Sequence, residues 1–131
     1  WEKMLSFQGN TAPYLQNAYV RIRSIFRKAE SEGIPTNAAM ITVADPAERA
    51  LALRILQFGD VLHTVLEDQR PNLLCLYLYE LADCFHRFYE ACPILKSEGE
   101  IRSSRMALAG VSASVLKTGL SLLGIGVPER M

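Results

Sequence analysis

The sequence lacks the long apolar segments of a membrane or secreted protein. None of its apolar runs reaches the roughly 18 residues that a helix needs to cross a bilayer. Residues 1–7 have neither the basic start nor the apolar centre of a signal peptide. They also lack an initiator methionine, so we expect a piece of a longer protein with no membrane partner.

Net charge is absent as well. The 131 residues include 14 lysines and arginines and 14 aspartates and glutamates, which gives a formal net charge of zero. A free-standing nucleic-acid-binding protein usually carries a basic excess. The balance argues against that class, although a domain tethered to a larger nucleic-acid-binding protein does not need the excess.

Cysteine is scarce, and the three in the chain are Cys75, Cys84 and Cys92. Their odd number and their spacing match neither a zinc site nor the disulfide framework of a small secreted domain. We expect buried, free thiols. Thiols persist in a reducing compartment, so the expected location is the cytoplasm.

Catalytic motifs are also missing. His63 and His86 have no cysteine or carboxylate at the spacing of a metal site. The Gly124-Ile125-Gly126 run follows a predicted helix and has no strand before it, so it does not match a phosphate-binding loop. No Ser/His/Asp arrangement stands out. The residues therefore predict a helical binding module, with no catalytic residue and no metal site.

Helical periodicity is the strongest signal that the sequence carries. Residues 71–89 have apolar side chains at intervals of three and four, the repeat of one helical face. These are Leu74, Leu78, Leu81, Phe85 and Phe88. Positions beside the stripe are also largely apolar, so this helix is expected to be buried with the other helices packed around it.

Cap and breaker residues divide the first third of the chain. Thr11 is a good N-cap and Pro13 suits a first helical turn. Residues 1–13 are therefore predicted to be a loop, followed by a helix that ends near residue 30. Residues 31–44 lack a helical stripe and are predicted to be an internal linker laid over the surface.

Two short helices are predicted next. Asp45 and Glu48 have the spacing of a capping box, and the helix that they begin should stop near Gly59. Asp60 restarts a helix, which Pro71 ends.

The last helix is predicted over residues 100–123. Its buried side is expected to carry Leu108, Val111, Val115 and Leu122. Gly110 and Gly119 each cost a helix about 1 kcal/mol, which a close approach to a neighbouring helix would explain. Apart from a weak alternation at residues 40–43, no segment has the period of a strand, so the predicted fold class is all-α, a helical bundle.

A second stripe on the first helix is polar. It consists of Tyr14, Asn17, Arg21, Ser24 and Lys28. Such a face suits RNA, because phosphates need cations and an unstacked base needs a flat aromatic partner. A solvated helix face would show the same pattern, and the residues alone leave both interpretations open.

Three stretches carry a family resemblance. Residues 7–16 contain Gly-Asn-Thr-Ala-Pro-Tyr, residues 77–89 begin Tyr-Leu-Tyr-Glu-Leu-Ala and end Phe-Tyr, and residues 122–131 end Pro-Glu-Arg-Met. In this order they resemble the C-terminal end of arginyl-tRNA synthetases, and the resemblance covers essentially the whole chain. It implies the α-helical anticodon-binding domain of these class I enzymes, the type named for an Asp-Ala-Leu-Arg signature. Residues 71–74, Pro-Asn-Leu-Leu, are the nearest equivalent of that signature.

The resemblance implies that the whole protein is an arginine–tRNA ligase, which joins arginine to its tRNA with ATP and Mg²⁺. The catalytic domain would lie outside this chain, with residues 1–13 leading in from it. This fragment would hold no cofactor. Its partners would be arginine tRNA and its own catalytic domain, and not DNA.

The same resemblance implies the residues that contact the anticodon. Tyr14, Asn17 and Arg21 would do so from the first helix, with hydrogen bonding rather than stacking at Asn17. Tyr89 would be a second base-contacting aromatic residue. Met131 and its carboxylate would close the pocket.

Two alternatives accompany this interpretation. A helical protein-interaction module would use exposed aromatic residues to anchor a partner helix. The equivalent domain of a related enzyme, such as cysteinyl- or glycyl-tRNA synthetase, would keep the fold, although the Gly-Asn-Thr-Ala-Pro-Tyr run argues for the arginine enzyme.

Overall fold

The computed structural model describes residues 2–35 and 40–128, with side chains from residue 12 onward. Within these ranges the chain forms five helices and no strand, so the all-α prediction is confirmed. The helices are α1 (Glu2–Ser31), α2 (Pro46–Leu56), α3 (Phe58–Asp68), α4 (Pro71–Ala91) and α5 (Gly99–Leu122). Helix α4 contacts all four of the others, and α5 also contacts α1 and α2.

Helix α4 is the centre of the core, as its periodicity predicted. Its five stripe residues are all buried, and four of them are fully inaccessible to solvent. Burial of one such leucine or phenylalanine contributes about 1.5–3 kcal/mol. The helix ends just before Pro93, which disfavours helical dihedrals at the preceding residue. Cys92 is accordingly extended, with φ −124° and ψ 96°.

Helix α1 begins earlier than the sequence predicted. The expected loop over residues 1–13 is wrong from residue 2 onward, because the helix starts at Glu2 and runs through Pro13 without interruption. The prediction relied on Thr11 as an N-cap and on the preference of Pro13 for a first helical turn. Such local preferences are weak, and a longer helix overrides them.

The α2–α3 boundary lies at Gln57, two residues before the predicted position at Gly59. The predicted capping box at the start of α2 is present, with both reciprocal hydrogen bonds. The chain then bends at Gln57, and Phe58 stacks on Tyr77 of α4 with ring centroids 5.8 Å apart. This contact packs the start of α3 against α4. Gln69 then adopts the left-handed conformation, with φ 52°, and ends α3.

The buried face of α5 differs from the predicted one. Leu108 and Val115 are buried, but Val111 is 38% exposed and Leu122 is 60% exposed, so the prediction was wrong at these two positions. Small residues occupy much of the buried face instead, including Ala109, Ser112, Ala113 and Gly119. They bring α5 close to its neighbours. A Cβ atom on Gly119 would lie 2.6 Å from a methyl carbon of Leu78 in α4.

A buried ion pair joins three parts of the fold. Glu48 is 3% exposed and accepts hydrogen bonds from the backbone N–H groups of Ala44 and Asp45. Its other oxygen accepts from Nε of Arg105 in α5 at 3.0 Å. Arg105 also donates from Nη1 to the carbonyl oxygen of Pro93 at 2.8 Å. The start of α2, the loop after α4 and helix α5 are thereby held together.

The described part of the segment between α1 and α2 is irregular and follows the surface of α5. Residues 40–44 are exposed and contain no strand. The N–H group of Thr42 donates to Oγ of Ser104 at 2.8 Å, and this hydroxyl donates back to the carbonyl oxygen of Thr42 at 3.1 Å. Residues 36–39 lie outside the described part of the chain.

We expect Gly119→Ala to lower the free energy of unfolding by about 1 kcal/mol. Overpacking against the buried Leu78 costs about 1–3 kcal/mol, which exceeds the roughly 1 kcal/mol that alanine contributes to helix propensity. Denaturant unfolding of the variant measures the difference. In a Leu78→Ala background the same change should become neutral or stabilising.

Gly110→Ala is the matched control on the same helix. Its Cβ atom would lie 3.3 Å from the half-buried Phe26 ring, which has room to move. It should therefore cost less than Gly119→Ala. If Gly119→Ala stabilised the protein at least as much as the control, the close α4–α5 approach would be wrong.

The Glu48–Arg105 pair should make the stability of the fold depend on pH in the acid range. Burial alone would raise the pKa of Glu48, but hydrogen bonds from Asp45, Ala44 and Arg105 lower it overall, below its ordinary value of 4.5. A carboxyl group with a lowered pKa in the folded state stabilises the fold above its unfolded pKa, and this contribution is lost as pH falls. We expect Arg105→Met to lower the free energy of unfolding at pH 7 by about 2–4 kcal/mol. The variant should also lose less of its remaining stability than wild type as the pH falls.

Arg102→Met is the control, because Arg102 is a half-buried arginine on the same helix. Unfolding measured from pH 7 to pH 3 compares the two variants. If wild type and Arg105→Met lost the same unfolding free energy between pH 7 and pH 3, the pair would not lower the pKa of Glu48.

Candidate nucleic-acid interface

Helix α1, the end of α4 and the loop after α4 enclose an open groove of about 1010 Å³. One wall is the whole polar stripe of α1 that the sequence predicted, from Tyr14 to Lys28. The opposite wall is formed by His86 and Tyr89 of α4 and by residues 93–96. Four of the five predicted site residues therefore line one groove.

Helical geometry explains how α1 forms this wall while it also contributes to the core. Leu15, Ala18 and Ile22 recur at intervals of three and four and are at most 2% exposed. Asn17 and Arg21, which recur at the same interval on the adjacent face, are exposed. The apolar stripe fixes the rotation of the helix about its axis. The polar stripe must then face the edge of α4.

The N-terminal end of the groove is aromatic. The half-buried ring of Tyr14 lies 5.1 Å from that of Tyr79 and 5.5 Å from that of His86, measured between centroids. Burial raises the pKa of Tyr14, and the carboxylate of Asp83 raises it further. The phenol therefore stays neutral at physiological pH and keeps its hydroxyl hydrogen.

Tyr89 lies between two other groups. One side of its ring stacks on Phe85, with centroids 6.1 Å apart and planes inclined by 23°. The guanidinium carbon of Arg21 lies 5.4 Å from the ring centroid, within range of a cation–π contact. Tyr89 is 38% exposed, so it belongs to the groove and not to the core. Tyr89 and Arg21 join the two walls.

The sequence reasoning missed His86 as a groove residue. It precedes Tyr89 by three positions, so both side chains lie on one face of α4. That spacing was the available signal. Burial lowers the pKa of His86 and the charge of Arg21 lowers it further, while Asp83 and Glu90 act in the opposite direction. A neutral imidazole carries one donor and one acceptor for hydrogen bonds.

The charge in the groove has one sign. Arg21, Arg27, Lys28 and Lys96 are among its described lining residues, and none of those residues is acidic. The chain as a whole has no net charge. A concave surface lined by one sign of charge concentrates the field and attracts an anion. The groove therefore has the electrostatics of a polyanion site.

The tail after α5 returns to α1. Nε2 of Gln16 donates to the carbonyl oxygen of Gly126 at 2.8 Å. Ile125 and Val127 pack against the core. The tail is therefore held beside the helix that carries Tyr14. Met131, the remaining predicted site residue, lies outside the described residues.

The described ranges carry neither a metal-binding cluster nor a membrane-spanning helix. They contain no group of three or more histidine, cysteine or acidic side chains placed to hold a metal ion. None of the helices there has the length and apolar character needed to span a membrane. His63 is exposed and pairs with Glu67 one turn later at 3.2 Å. The three cysteines are free, and Cys75 and Cys92 are buried.

Known proteins resemble this chain over its whole length. This chain is 56% identical to arginine–tRNA ligases from Chromobacterium violaceum and Colwellia psychrerythraea. Each match covers 100% of this chain but 22% of the relative. Among solved structures, arginyl-tRNA synthetase from Thermus thermophilus superposes with a TM-score of 0.79 at 35% identity, over 100% of this chain and 23% of that one. The enzyme from Plasmodium falciparum gives 0.82 at 34% identity, over 98% and 22%.

This chain thus spans about a fifth of the length of the curated relatives that it matches. A family model described as DALR anticodon binding domain matches residues 15–131, which include all of the described groove residues but Tyr14. The chain belongs to the DALR anticodon binding domain family.

Proposed function

We propose that this chain is the anticodon-binding part of an arginine–tRNA ligase and that the groove between α1 and α4 receives the anticodon loop of arginine tRNA. The observation that carries the proposal is the groove itself. It combines two exposed or half-buried tyrosines with four cations and no acidic residue in its described lining. The relatives named as arginine–tRNA ligases supply the reaction.

Base stacking is the first interaction that supports this function. Sequence-specific RNA recognition mostly uses unpaired bases, which stack on aromatic side chains or on guanidinium planes. Tyr14 lies on one wall and Tyr89 on the other. Each stacked base is worth about 1–3 kcal/mol. The guanidinium of Arg21 lies over the Tyr89 ring, so a base at this position would stack on the guanidinium or displace it to reach the ring.

Polar contacts supply the second interaction. The amide of Asn17 has both donors and an acceptor, so it can pair with a base edge. Arg21 lies one turn further along α1 and can bind a phosphate or the edge of a base. Both residues are exposed on the wall of the groove.

The end of the chain would complete the pocket. Met131 follows Pro128 by three residues, a span of at most about 11 Å. The Gln16–Gly126 hydrogen bond holds the preceding segment beside α1. We propose that Met131 and its carboxylate close the groove near Tyr14 and contact the bound base.

The chemistry of the whole protein lies outside this chain. The full-length enzyme would use ATP and Mg²⁺ to activate arginine, and its catalytic domain would be the second partner of this fragment. We place the enzyme in the cytoplasm, where buried free thiols such as those of Cys75 and Cys92 are stable.

Tyr14→Ala in the full-length enzyme should lower kcat/KM for tRNA by about 5- to 150-fold, the equivalent of one lost stacking contact. Arg21→Glu should lower it by about 10-fold or more, because it removes a charge-assisted contact and adds repulsion. Steady-state charging at several tRNA concentrations measures both effects. The losses should appear mainly in KM, since the catalytic domain is unchanged.

Arg49→Glu is the control for the charge reversal. Arg49 is exposed in the first turn of α2, where a negative charge is tolerated, and it does not line the groove. It should leave tRNA charging within about twofold of wild type. Unchanged kinetics in both groove variants would refute the site assignment.

We expect Tyr89 to contribute to discrimination between anticodons. Arginine tRNA transcripts with single anticodon substitutions should be charged more slowly by the wild-type enzyme. Tyr89→Ala should reduce that discrimination, while Tyr89→Phe keeps the ring and should preserve it. The ratio of kcat/KM between matched and substituted transcripts is the measurement. Equal ratios in wild type and Tyr89→Ala would exclude Tyr89 as a base-contacting residue.

A further inference from the structure

We propose that the groove has two parts and that its far end, beyond Arg21, is a separate site for backbone phosphates of the RNA. Lys28 of α1 and Lys96 of the loop after α4 would bind them from opposite walls. The inference rests on the proposed function. It adds a site that holds the strand next to the anticodon without reading its sequence.

The length of the groove separates the two parts. An α-helix rises about 1.5 Å per residue, so Tyr14 and Lys28 lie about 21 Å apart along α1. The aromatic lining residues Tyr14, His86 and Tyr89 all belong to the part that ends at Arg21. The described lining beyond Arg21 contains no aromatic side chain. That part offers no aromatic ring on which a base can stack.

The far end is nevertheless strongly cationic. Lys28 and Lys96 are both exposed and line the groove, together with Arg27 and the hydroxyl of Ser24. Lys28 could be explained by its place in the last turn of α1, where a cation favours the helix dipole. That explanation does not extend to Lys96, which lies outside any helix. Two like charges that line one groove raise the local concentration of anions there.

The loop that carries Lys96 is fixed in place. Ile94 is 3% exposed and belongs to the core cluster. Arg105 donates to the carbonyl oxygen of Pro93 at 2.8 Å, and Oγ of Ser97 donates to the carbonyl oxygen of Ile94 at 2.6 Å. The backbone on both sides of Lys96 is therefore anchored. Binding an anion there costs little ordering of the loop, which favours a preformed site.

Phosphate is the ligand that fits this chemistry. A lysine ammonium is a compact point charge, suited to a phosphate oxygen and not to a shaped bidentate contact. Phosphate contacts fix the register of a nucleic acid but do not read its sequence. The aromatic end would then discriminate between anticodons, and the lysine end would supply affinity that is independent of the anticodon.

The test measures the affinity of the full-length enzyme for arginine tRNA across a series of salt concentrations. Each phosphate contact contributes about 0.7–0.9 to the slope of log Kd against log salt concentration. Lys28→Gln with Lys96→Gln should therefore lower the magnitude of that slope by about 1.5. The ratio of affinities for matched and substituted anticodons should stay as in wild type. Lys117→Gln, an exposed lysine on α5 outside the groove, should leave the slope unchanged.

Two outcomes would overturn the inference. An unchanged slope in the double variant would mean that neither lysine meets a phosphate. A lowered slope together with a lost anticodon ratio would mean that the lysines contact bases. Tyr14→Ala, measured in parallel, separates this from the proposed function: it should weaken binding without changing the slope. If neither Tyr14→Ala nor the anticodon substitutions had any effect, the proposed function itself would fail.

Discussion

The packing of α1 against α4 is the interaction on which the groove depends. The apolar stripe of α1 and the buried face of α4 belong to one core cluster. Because side chains on a helix have fixed angular positions, burial of Leu15, Ala18 and Ile22 determines where Tyr14, Asn17 and Arg21 lie. Burial of Phe85 and Phe88 in α4 likewise places Tyr89 at the edge of the α1–α4 interface. The core thus orients Asn17, Arg21 and Tyr89, whose own side chains are exposed.

The distribution of charge is the second constraint. A neutral chain avoids the self-repulsion of a basic protein, yet cations still line the groove. Acidic residues pair with cations outside the described lining of the groove: Glu80 pairs with Arg54, Asp83 with Arg87, and Glu48 is buried against Arg105. The Glu48–Arg105 pair also supports the groove. Arg105 donates a hydrogen bond to Pro93, in the loop that forms part of the wall opposite α1.

Much of this arrangement could be predicted from the sequence, because helical periodicity is an intrinsic property of each segment. The buried stripe of α4, the capping box at Asp45 and the polar stripe of α1 all follow from spacing within one helix. What could not be predicted depends on contacts between helices. The stacking of Phe58 on Tyr77, directly after the break at Gln57, is one such contact. The close approach predicted at Gly119 is present, but the exposure of Val111 and Leu122 depends on how α5 is rotated against its neighbours, which a hydrophobicity pattern does not give. The role of His86 needed the position of α1 beside it.

Photo-cross-linking tests the central claim most directly. Arginine tRNA with 4-thiouridine at single anticodon positions would be irradiated in complex with the full-length enzyme, and the cross-linked peptides identified by mass spectrometry. The account predicts cross-links within residues 14–28 and 86–96, the two walls of the groove. Cross-links from the anticodon confined to α2 and α3 would contradict it.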